Sequence, residues 1–368
     1  MHYYIISGEL SGDLYGSKLM EQLKKNDPDT RFTCWGGEYM RLQGGEMVRS
    51  LDQLAFLGFF EIFKNSFTIF QNLLFAKRNI KTLRPDILIL IDYPGFNFKI
   101  AKYAKKIGIP VFWFVAPQLW AWKANRIRLL RKYVDKLFVV LPFELEYFVQ
   151  RNIKTYYFGH PLLDIIEPKI LSITLLGKPI IALLPGSREQ EVRTMLPIML
   201  SLTNRMSSYR FVIICVQSVK RSLYQDLIKD YNVELKFTKD ILPSVSAALV
   251  TSGTATLEMS ILKIPQVVCY KLNFLTYLLA RIFIKIKYVS LVNILMNEKV
   301  VPELLQHNFN IENMELALKR VLQPKHRNRI IEKYNFILKK LGGPGCFEKI
   351  SKTIYSDLKG GINNAATK

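Results

Sequence analysis

The sequence predicts an α/β protein built from two doubly wound, Rossmann-like domains that face one another. Short β-branched or aromatic runs alternate with longer amphipathic stretches, which is the pattern of βα units and a parallel sheet. This alternation occurs in two series along the 368 residues. A chain of that length suits two domains of ordinary size better than one core.

A turn-rich linker over residues 159–178 separates the two series. We therefore expect an N-terminal domain over residues 1–165, a C-terminal domain over 166–340, and a terminal helix with a disordered tail over 341–368. The predicted helices include Ser11–Lys24, Lys99–Ile107, Glu189–Met206 and Thr254–Leu262. The predicted strands are Tyr3–Ser7, Arg31–Trp35, Ile87–Ile91, Val111–Val115, Lys136–Leu141 and Thr155–Phe158, then Pro179–Leu184, Arg210–Val216, Leu235–Phe237, Ala247–Val250 and Gln266–Cys269.

Net charge is the unusual feature of the composition. The 52 Lys and Arg residues outnumber 30 Asp and Glu residues, which gives +22. Such an excess attracts nucleic acid, anionic lipid and phosphorylated small molecules alike. The alternative explanation of the charge is a compositional bias of the genome that favours lysine codons. The apolar share of 49% is that of a folded globular protein.

The cysteines and the N-terminus bear on the cellular compartment. The four cysteines are scattered without a Cys-x-x-Cys pair, so they predict neither a zinc site nor a disulfide framework, and a reducing cytoplasm fits best. The first residues read as a strand, not as a signal peptide. No window reaches the roughly 18 uninterrupted apolar residues of a spanning helix.

Two loops in the second half predict a nucleotide-diphosphate site. Gly186, Ser187 and Arg188 lie between a buried strand and a helix, where backbone N–H groups, the helix dipole and a guanidinium suit phosphate oxygens. The segment Ser252–Thr254 also joins a strand to a helix, and Glu258 follows in a position to bind a ribose diol. Taken alone, the first loop is better explained as a tight turn with a capping serine. The alternative for the second loop is a helix N-cap, with Glu258 complementing the helix dipole.

The first half supplies candidate catalytic and acceptor-binding residues. The segment SGELSGDLYG follows the first strand and is typical of a ligand-facing loop, although it lacks the G-x-G-x-x-G spacing. Asp92 ends a buried strand, where an α/β enzyme places a general base. Capping of the following helix is the alternative role for this carboxylate.

Aromatic and basic residues concentrate in two further segments. Trp120 and Trp122 lie within Lys99–Lys136, which holds ten Lys or Arg residues and one acid. This pattern suits the stacking of nucleic-acid bases or the binding of an amphiphile with a phosphate head group. A basic face exposed to solvent is the alternative.

The second segment has apolar residues at helical spacing. Such a stripe favours packing into a core, with an acyl-chain or membrane-contacting surface as the alternative. Its residues are Phe63, Phe67, Phe70 and Leu74, with Phe56, Phe59 and Phe60 enlarging the patch.

The one D-x-D match, Asp27-Pro28-Asp29, lies in a polar turn beside Asn26 and is better explained by that turn than by a metal. We expect no metal and no cofactor.

Taken in order, eleven segments between residues 7 and 306 resemble the lipid-A-disaccharide synthase family. They are SGELSGDLYG, WGGEYM, LGFFEIF, IDYPGFN, APQLWAW, LPFE, FGHPLLD, LPGSR, TSGTATLE, YVSLVNIL and VPELLQ. The resemblance implies the GT-B glycosyltransferase architecture and an inverting transfer from UDP-2,3-diacylglucosamine to 2,3-diacylglucosamine 1-phosphate (lipid X). The products would be the β-1,6-linked lipid A disaccharide 1-phosphate and UDP.

The resemblance assigns Asp92 as the catalytic base. The implied UDP-binding residues are Gly186, Ser187, Arg188, Ser252, Gly253, Thr254, Glu258, Asn293 and Gln306. The implied acceptor-binding residues are Gly8, Glu9, Ser11, Gly12, Asp13, Trp120, Trp122 and Arg126. The chain departs from the family at three places. Gly95 stands where the family commonly has an acid, and the other two departures are within the APQLWAW segment and at Val292, before Asn293. These departures bear on how the acceptor is held.

Two other functions stay open at this point. One is a GT-B transferase that acts on a polyprenyl-linked peptidoglycan precursor. The other is a basic RNA-binding protein, although RGG tracts and RNA-binding module signatures are missing. We expect the two diacylglucosamine substrates as partners and a cytoplasmic protein held peripherally at the anionic inner membrane. We expect no nucleic acid, and a homodimer is left open.

Overall fold

The computed structural model describes residues 1–51, 66–166, 178–273, 277 and 286–366. The chain divides into two compact units, of which unit 1 comprises Met1–Asp164 and Gly342–Lys368 and unit 2 comprises Ile165–Leu341. The C-terminal segment therefore belongs to the unit that begins the chain.

Over its described residues, unit 1 contains a parallel sheet in the order β3-β2-β1-β4-β5-β6-β7. Its strands are β1 (His2–Ser7), β2 (Arg31–Gly36), β3 (Glu46–Ser50), β4 (Ile87–Ile91), β5 (Val111–Phe114), β6 (Lys136–Val139) and β7 (Thr155–Tyr157). Its helices are α1 (Leu10–Asn26), α2 (Glu38–Leu42), α3 (Ser66–Leu83), α4 (Pro94–Lys106), α5 (Ile127–Tyr133), α6 (Pro142–Val149), α7 (Leu162–Ile165) at the boundary, and the C-terminal helix Cys346–Ala366.

Unit 2 contains a second parallel sheet over its described residues, in the order β10-β9-β8-β11-β12-β13. Its strands are β8 (Ile180–Leu184), β9 (Arg210–Ile214), β10 (Glu234–Lys236), β11 (Val245–Thr251), β12 (Gln266–Tyr270) and β13 (Glu303–Leu305). Its helices are α8 (Glu189–Leu200), α9 (Arg221–Leu227), α10 (Thr254–Ile261), α11 (Leu291–Met296), α12 (Ile311–Leu322) and α13 (Pro324–Leu341).

The strands form where the sequence has continuous apolar runs. All five residues of β4 and of β8 are buried, as expected for parallel strands with helices on both faces of the sheet. In unit 1 the core gathers Tyr4, Trp35 and Trp113, and in unit 2 it gathers Leu184 and Val250. The prediction of two doubly wound α/β units is confirmed.

Both sheets reverse their strand order beside the first strand of the unit, at β1/β4 in unit 1 and at β8/β11 in unit 2. Doubly wound sheets bind ligands outside the carboxyl ends of the strands at this switch point. Each unit therefore has one topologically defined place for a site.

The C-terminal helix is fixed to unit 1 by capping and by packing. Asp164 accepts hydrogen bonds from the N–H groups of Gly345 (2.5 Å) and Phe347 (3.0 Å) at the start of the helix. The Phe347 ring lies against Tyr15 and Phe114, with centroids 6.1 and 6.0 Å apart. The helix runs to Ala366, through most of the segment in which a disordered tail was expected.

Three elements differ from the sequence prediction. The short strands Glu46–Ser50 and Glu303–Leu305 were missed because their charged residues hide the apolar pattern. Helix α8 ends at Leu200 and not at Met206, soon after Pro197, which lacks the N–H group that a helix interior needs.

Candidate functional site

The switch point of unit 1 brings the glycine-rich loop and Asp92 together. Strands β1 and β4 are neighbours with Ser7 opposite Ile91, so the residues that follow them leave the sheet side by side. A Cβ atom on Gly8 would lie 2.4 Å from the ring of Tyr93. Only a glycine allows the first loop to pack so closely against the residue after Asp92.

Asp92 lies in a strained turn between β4 and α4. Asp92 and Tyr93 have φ angles of 47° and 51°, in the left-handed region that side chains disfavour. On the neighbouring strand, Val115 has a φ angle of 62°, which is an outlier for a β-branched residue. Such strain concentrates at functional sites. The half-buried Asp92 thus ends a central strand as expected, and its role as base stays a prediction.

The loop after β1 offers fewer ligand-facing groups than the sequence suggested. Gly8 and Gly12 are buried, whereas Glu9 and Ser11 are half-buried. The backbone carbonyl of Glu9 accepts a hydrogen bond from the Ser7 hydroxyl at 3.1 Å. Burial, together with the nearby Glu9 carboxylate, raises the pKa of Tyr93 to about 12.

Asp13 is a correction to the predicted acceptor site. Its side chain is fully buried, and its carboxylate accepts hydrogen bonds from the backbone N–H groups of Gly37 (2.7 Å), Tyr39 (3.0 Å) and Met40 (3.2 Å). Burial raises the pKa of Asp13 against the opposing effect of those three donors. The carboxylate caps helix α2, so it neither faces a ligand nor can replace Asp92.

The two tryptophans of the aromatic segment have different surroundings. The Trp120 indole donates to the Glu144 carboxylate (2.9 Å) and packs edge-on against Phe143. Trp122 is 37% exposed, with the Lys123 ammonium 4.1 Å from its ring centroid. Trp122 is therefore the one of the two whose ring faces solvent.

Glu144 and Arg126 complete this part of unit 1. Glu144 is 1% exposed and also accepts from the N–H groups of Val140 (3.3 Å) and Leu141 (3.1 Å). Burial raises the pKa of Glu144 to about 7 in spite of these donors. Arg126 is half-buried, and its guanidinium lies 5.7 Å from the Phe98 ring centroid. Sequence patterns did not single out Glu144, although LPFE was part of the resemblance.

The switch point of unit 2 contains both predicted phosphate loops. Strands β8 and β11 are neighbours with Leu184 opposite Val250, which confirms that the two loops share one sheet edge. Gly186 has a φ angle of 122°, and a Cβ atom there would lie 2.5 Å from the Glu191 carboxylate. A glycine is therefore required where the loop turns beside Glu191.

Glu191 organises the first of these loops and was not predicted. Its carboxylate accepts from the Ser187 N–H (2.9 Å) and from the Arg188 guanidinium (3.1 Å). The Ser218 hydroxyl donates to the Ser187 carbonyl at 2.9 Å. Ser187 and Arg188 are exposed, so a ligand that binds here must share them with Glu191. The i, i+3 spacing of Arg188 and Glu191 at a helix start was the available signal.

The second loop presents its backbone at the start of α10. Gly253 and Thr254 are exposed, and the Ser252 hydroxyl donates to the Val289 carbonyl at 3.0 Å. Glu258 is buried on α10 and forms an ion pair with Lys239, whose ammonium lies 2.7 and 2.6 Å from its two carboxylate oxygens. No pattern in the sequence pointed to Lys239, which lies in a polar loop after β10.

The side chains of Asn293 and Gln306, both predicted UDP contacts, bind the protein itself. The fully buried Asn293 is a correction, whereas the contact of the half-buried Gln306 with UDP stays a prediction. The buried Asn293 amide donates to Val301 O (3.0 Å) and to Glu303 (2.9 Å), and its oxygen accepts from two backbone N–H groups. The Gln306 amide pairs with the backbone N–H (2.8 Å) and C=O (3.2 Å) of Leu272. Both side chains fix the chain around β12 and β13.

The aromatic stripe is a further correction where the structure describes it. On α3 the exposed fractions are 70% for Phe67, 55% for Phe70 and 40% for Leu74, so these residues form a solvent-facing surface and not a core. We call this surface the aromatic face. The residues Phe56, Phe59, Phe60 and Phe63 lie outside the described residues.

The described residues contain neither a cluster of metal ligands nor a membrane-spanning helix. Among the described residues, no group of three or more His, Cys, Asp or Glu side chains has the arrangement of a metal site. Asp27 of the D-x-D match pairs with the N-terminal amine at 2.9 Å. Within the described ranges, no helix combines the length and apolar character needed to cross a bilayer.

Solved structures share the fold of the chain. The chain matches a Staphylococcus aureus MnaA–UDP structure at 13% identity, with a TM-score of 0.66 and coverage of 97% of each chain. It also matches Acinetobacter baumannii MurG at 13% identity, with a TM-score of 0.57 and coverage of 96% of this chain and 99% of that one. At such identities the likeness concerns the fold, which is the GT-B architecture of two α/β domains, each with a parallel sheet.

Sequence comparison narrows the class to one family. A family model described as lipid-A-disaccharide synthetase matches residues 3–341. The lipid-A-disaccharide synthase of Syntrophus aciditrophicus (strain SB) is 36% identical over 372 residues, which cover 96% of this chain and 97% of that protein. The chain belongs to the lipid-A-disaccharide synthase family, as the motif resemblance predicted.

Proposed function

We propose that the protein is an inverting glycosyltransferase that condenses UDP-2,3-diacylglucosamine with 2,3-diacylglucosamine 1-phosphate. The products are the β-1,6-linked lipid A disaccharide 1-phosphate and UDP. The match to one family over residues 3–341 is the observation that carries this proposal. The placement of predicted site residues at both switch points is consistent with it.

In this mechanism the bond to the anomeric carbon forms and breaks in one in-line displacement. Asp92 takes the proton from the acceptor 6-hydroxyl while the hydroxyl oxygen attacks the anomeric carbon. This proton transfer is worth roughly 10²–10⁴-fold in rate. The bond between the anomeric carbon and the UDP oxygen breaks at the same time. A strained turn that fixes the Asp92 backbone supports this role, since a base must be held in register with its substrate.

The leaving UDP carries the negative charge that unit 2 is equipped to bind. We infer that the exposed Ser187 and Arg188, together with the backbone at Gly253 and Thr254, hold the diphosphate. Glu258 is the candidate for the ribose hydroxyls, and its pairing with Lys239 means that a nucleotide must share this carboxylate with an ammonium group. Fixed donors of this kind stabilise developing charge without a metal.

The aromatic face and the basic segments suit substrates with acyl chains and phosphate groups. We propose that the protein contacts the anionic cytoplasmic surface of the inner membrane peripherally. The exposed rings of Phe67 and Phe70 support apolar contact. Basic residues of Lys99–Lys136 support a salt-sensitive attraction of about 1 kcal/mol per charge near the surface.

Thin-layer analysis of the products from the two purified diacyl substrates tests the assignment. We expect UDP and the disaccharide 1-phosphate to form together, with turnover unaffected by EDTA. Donor hydrolysis without coupling, or transfer only to a polyprenyl acceptor, would contradict the proposed reaction. Loss of turnover in EDTA with recovery in magnesium would contradict the metal-free leaving-group mechanism.

A further inference from the structure

The turn that carries Asp92 has a conformation that its own residues disfavour. Two consecutive residues, Asp92 and Tyr93, adopt left-handed φ angles, and neither is a glycine. Tyr93 also precedes Pro94, a position that ordinarily adopts extended backbone. Each such residue costs conformational energy and persists only when its surroundings hold it. The contacts that hold the turn therefore decide where Asp92 lies.

Asn97 makes the side-chain contact that locks this turn. Its amide Nδ2 donates to the carbonyl oxygen of Asp92 at 2.7 Å, and its backbone N–H donates to the Tyr93 carbonyl at 3.0 Å. On the other side, the Asp92 N–H donates to Phe114 O at 3.1 Å. Both carbonyls of the left-handed pair thus accept hydrogen bonds from one residue in the first turns of α4.

Asparagine is an unusual residue for this buried position in a helix. Asn97 is fully buried, and asparagine is a poor residue inside a helix. Its other amide atom, Oδ1, is buried without a hydrogen-bond partner among the described residues. Leaving a buried acceptor unsatisfied is unfavourable. The donor to the Asp92 carbonyl is therefore the feature that distinguishes asparagine from an apolar side chain at this position.

We propose that Asn97 is a positioning residue that holds Asp92 in register for proton abstraction. The proposal rests on the proposed function of Asp92 as base. Asn97 acts through the Asp92 backbone carbonyl, and it makes no contact with substrate in this account. A shift of Asp92 by about 1 Å would be expected to cost roughly 10²-fold in rate, because proton transfer depends on hydrogen-bond distance.

The test compares Asn97→Leu with wild type in the full-length protein. Leucine keeps the branched shape of asparagine at a larger volume and removes both the donor and the unsatisfied acceptor, and the melting temperature should stay well above the assay temperature. Turnover should nevertheless fall by roughly 10- to 100-fold, with UDP affinity unchanged. Asn79→Leu is the matched control, because it removes another asparagine hydrogen bond in unit 1, from the Tyr4 hydroxyl at 2.8 Å, and should leave turnover unchanged.

A double variant separates positioning from an independent effect. If Asn97 acts through Asp92, then Asp92→Asn with Asn97→Leu should turn over no more slowly than Asp92→Asn alone. Losses that multiply, or a stable Asn97→Leu protein with more than half of wild-type turnover, would overturn the positioning role. If Asp92→Asn itself keeps wild-type turnover, the base assignment fails as well. The two failures are therefore distinguishable.

Discussion

Both sheets reverse their strand order beside the first strand of the unit, yet the residues at the two switch points differ in kind. In unit 1 the left-handed positions are occupied by Asp92, Tyr93 and, on the next strand, Val115, all of which carry side chains. In unit 2 the corresponding loops place glycines, Gly186 and Gly253, at positive φ.

This difference indicates what each edge is built to present. A glycine removes steric obstruction, so the backbone N–H groups beside it can approach an anion closely. A left-handed aspartate costs conformational energy but holds one carboxylate in one orientation. We infer that unit 2 presents backbone and Arg188 to a ligand, whereas unit 1 presents a single reactive side chain. The predictions below test this division.

The largest effect is expected at Asp92. Asp92→Asn keeps the shape of the side chain but removes its ability to accept the 6-hydroxyl proton, so turnover should fall by at least about 10²-fold. UDP affinity and melting temperature should change little. All three are to be measured on one preparation. A stable variant that binds UDP and keeps more than about a tenth of wild-type turnover would remove Asp92 as the base, and Glu9 would be the next candidate.

At Arg188, in contrast to Asp92, we expect the main effect on UDP affinity. Arg188→Ala removes a charged hydrogen-bond donor to the diphosphate, so UDP affinity should fall by about 10- to 100-fold. Calorimetric titration with UDP measures this directly. Arg193→Ala is the control, since Arg193 is an exposed arginine on the same helix that pairs with Glu189 at 2.7 Å. Unchanged UDP affinity in Arg188→Ala would contradict the proposed difference between the units, because Arg188 is the charged side chain that unit 2 is inferred to present to the ligand.

A smaller effect is expected when the aromatic face of unit 1 is changed. Membrane binding should weaken, whereas the same kind of change in unit 2 should have less effect. Replacing Phe67, Phe70 and Leu74 by serine should weaken binding to phosphatidylglycerol-containing vesicles by roughly tenfold, because each side chain contributes apolar area. The control in unit 2 replaces Leu316 and Phe336, which are 69% and 55% exposed. Equal losses in both variants, measured by sedimentation at about 150 mM salt, would contradict a specific role for the aromatic face.

Local patterns predicted the strands and the loops that end them, because apolar runs and glycine positions are visible in the sequence. They could not predict partners that come from distant segments. Asp164 binds the backbone of Gly345, 181 residues later, at the start of the C-terminal helix, and Lys239 reaches Glu258 from a loop before β11. The motif resemblance named Asn293 and Gln306 as UDP contacts but could not show that their side-chain amides bond to the protein itself.

Burial explains the other errors. Asp13 has the sequence context of a ligand-facing carboxylate, and only the fold shows that the N–H groups of α2 surround it. The stripe on α3 has the spacing of a core face, and periodicity alone does not say whether another element covers it.

The smallest effect on activity is expected at Glu144, whose role in supporting the Trp120 loop can be tested through the pH dependence of stability. The pKa of Glu144 is raised to about 7 from its ordinary value of 4.5, because burial opposes the charged form more strongly than the N–H donors favour it. Between these two values the folded protein keeps a proton that the unfolded chain has lost. The contribution of Glu144 to stability is therefore complete below about pH 4.5 and is lost as the pH rises through about 7.

Glu144→Gln cannot titrate, so the free energy of unfolding of wild type relative to this variant should decrease as the pH rises from about 5 to about 8. Denaturant titrations of both proteins at the two pH values measure the change, and Glu146→Gln controls for removing a carboxylate from the same helix. Turnover at low pH should be close to that of wild type, since an amide oxygen can still accept from the Trp120 indole. A relative stability that increases with pH would show instead that Glu144 is ionised in the fold. The indole and the two backbone donors would then outweigh burial, and Trp120 would be held by a charged hydrogen bond.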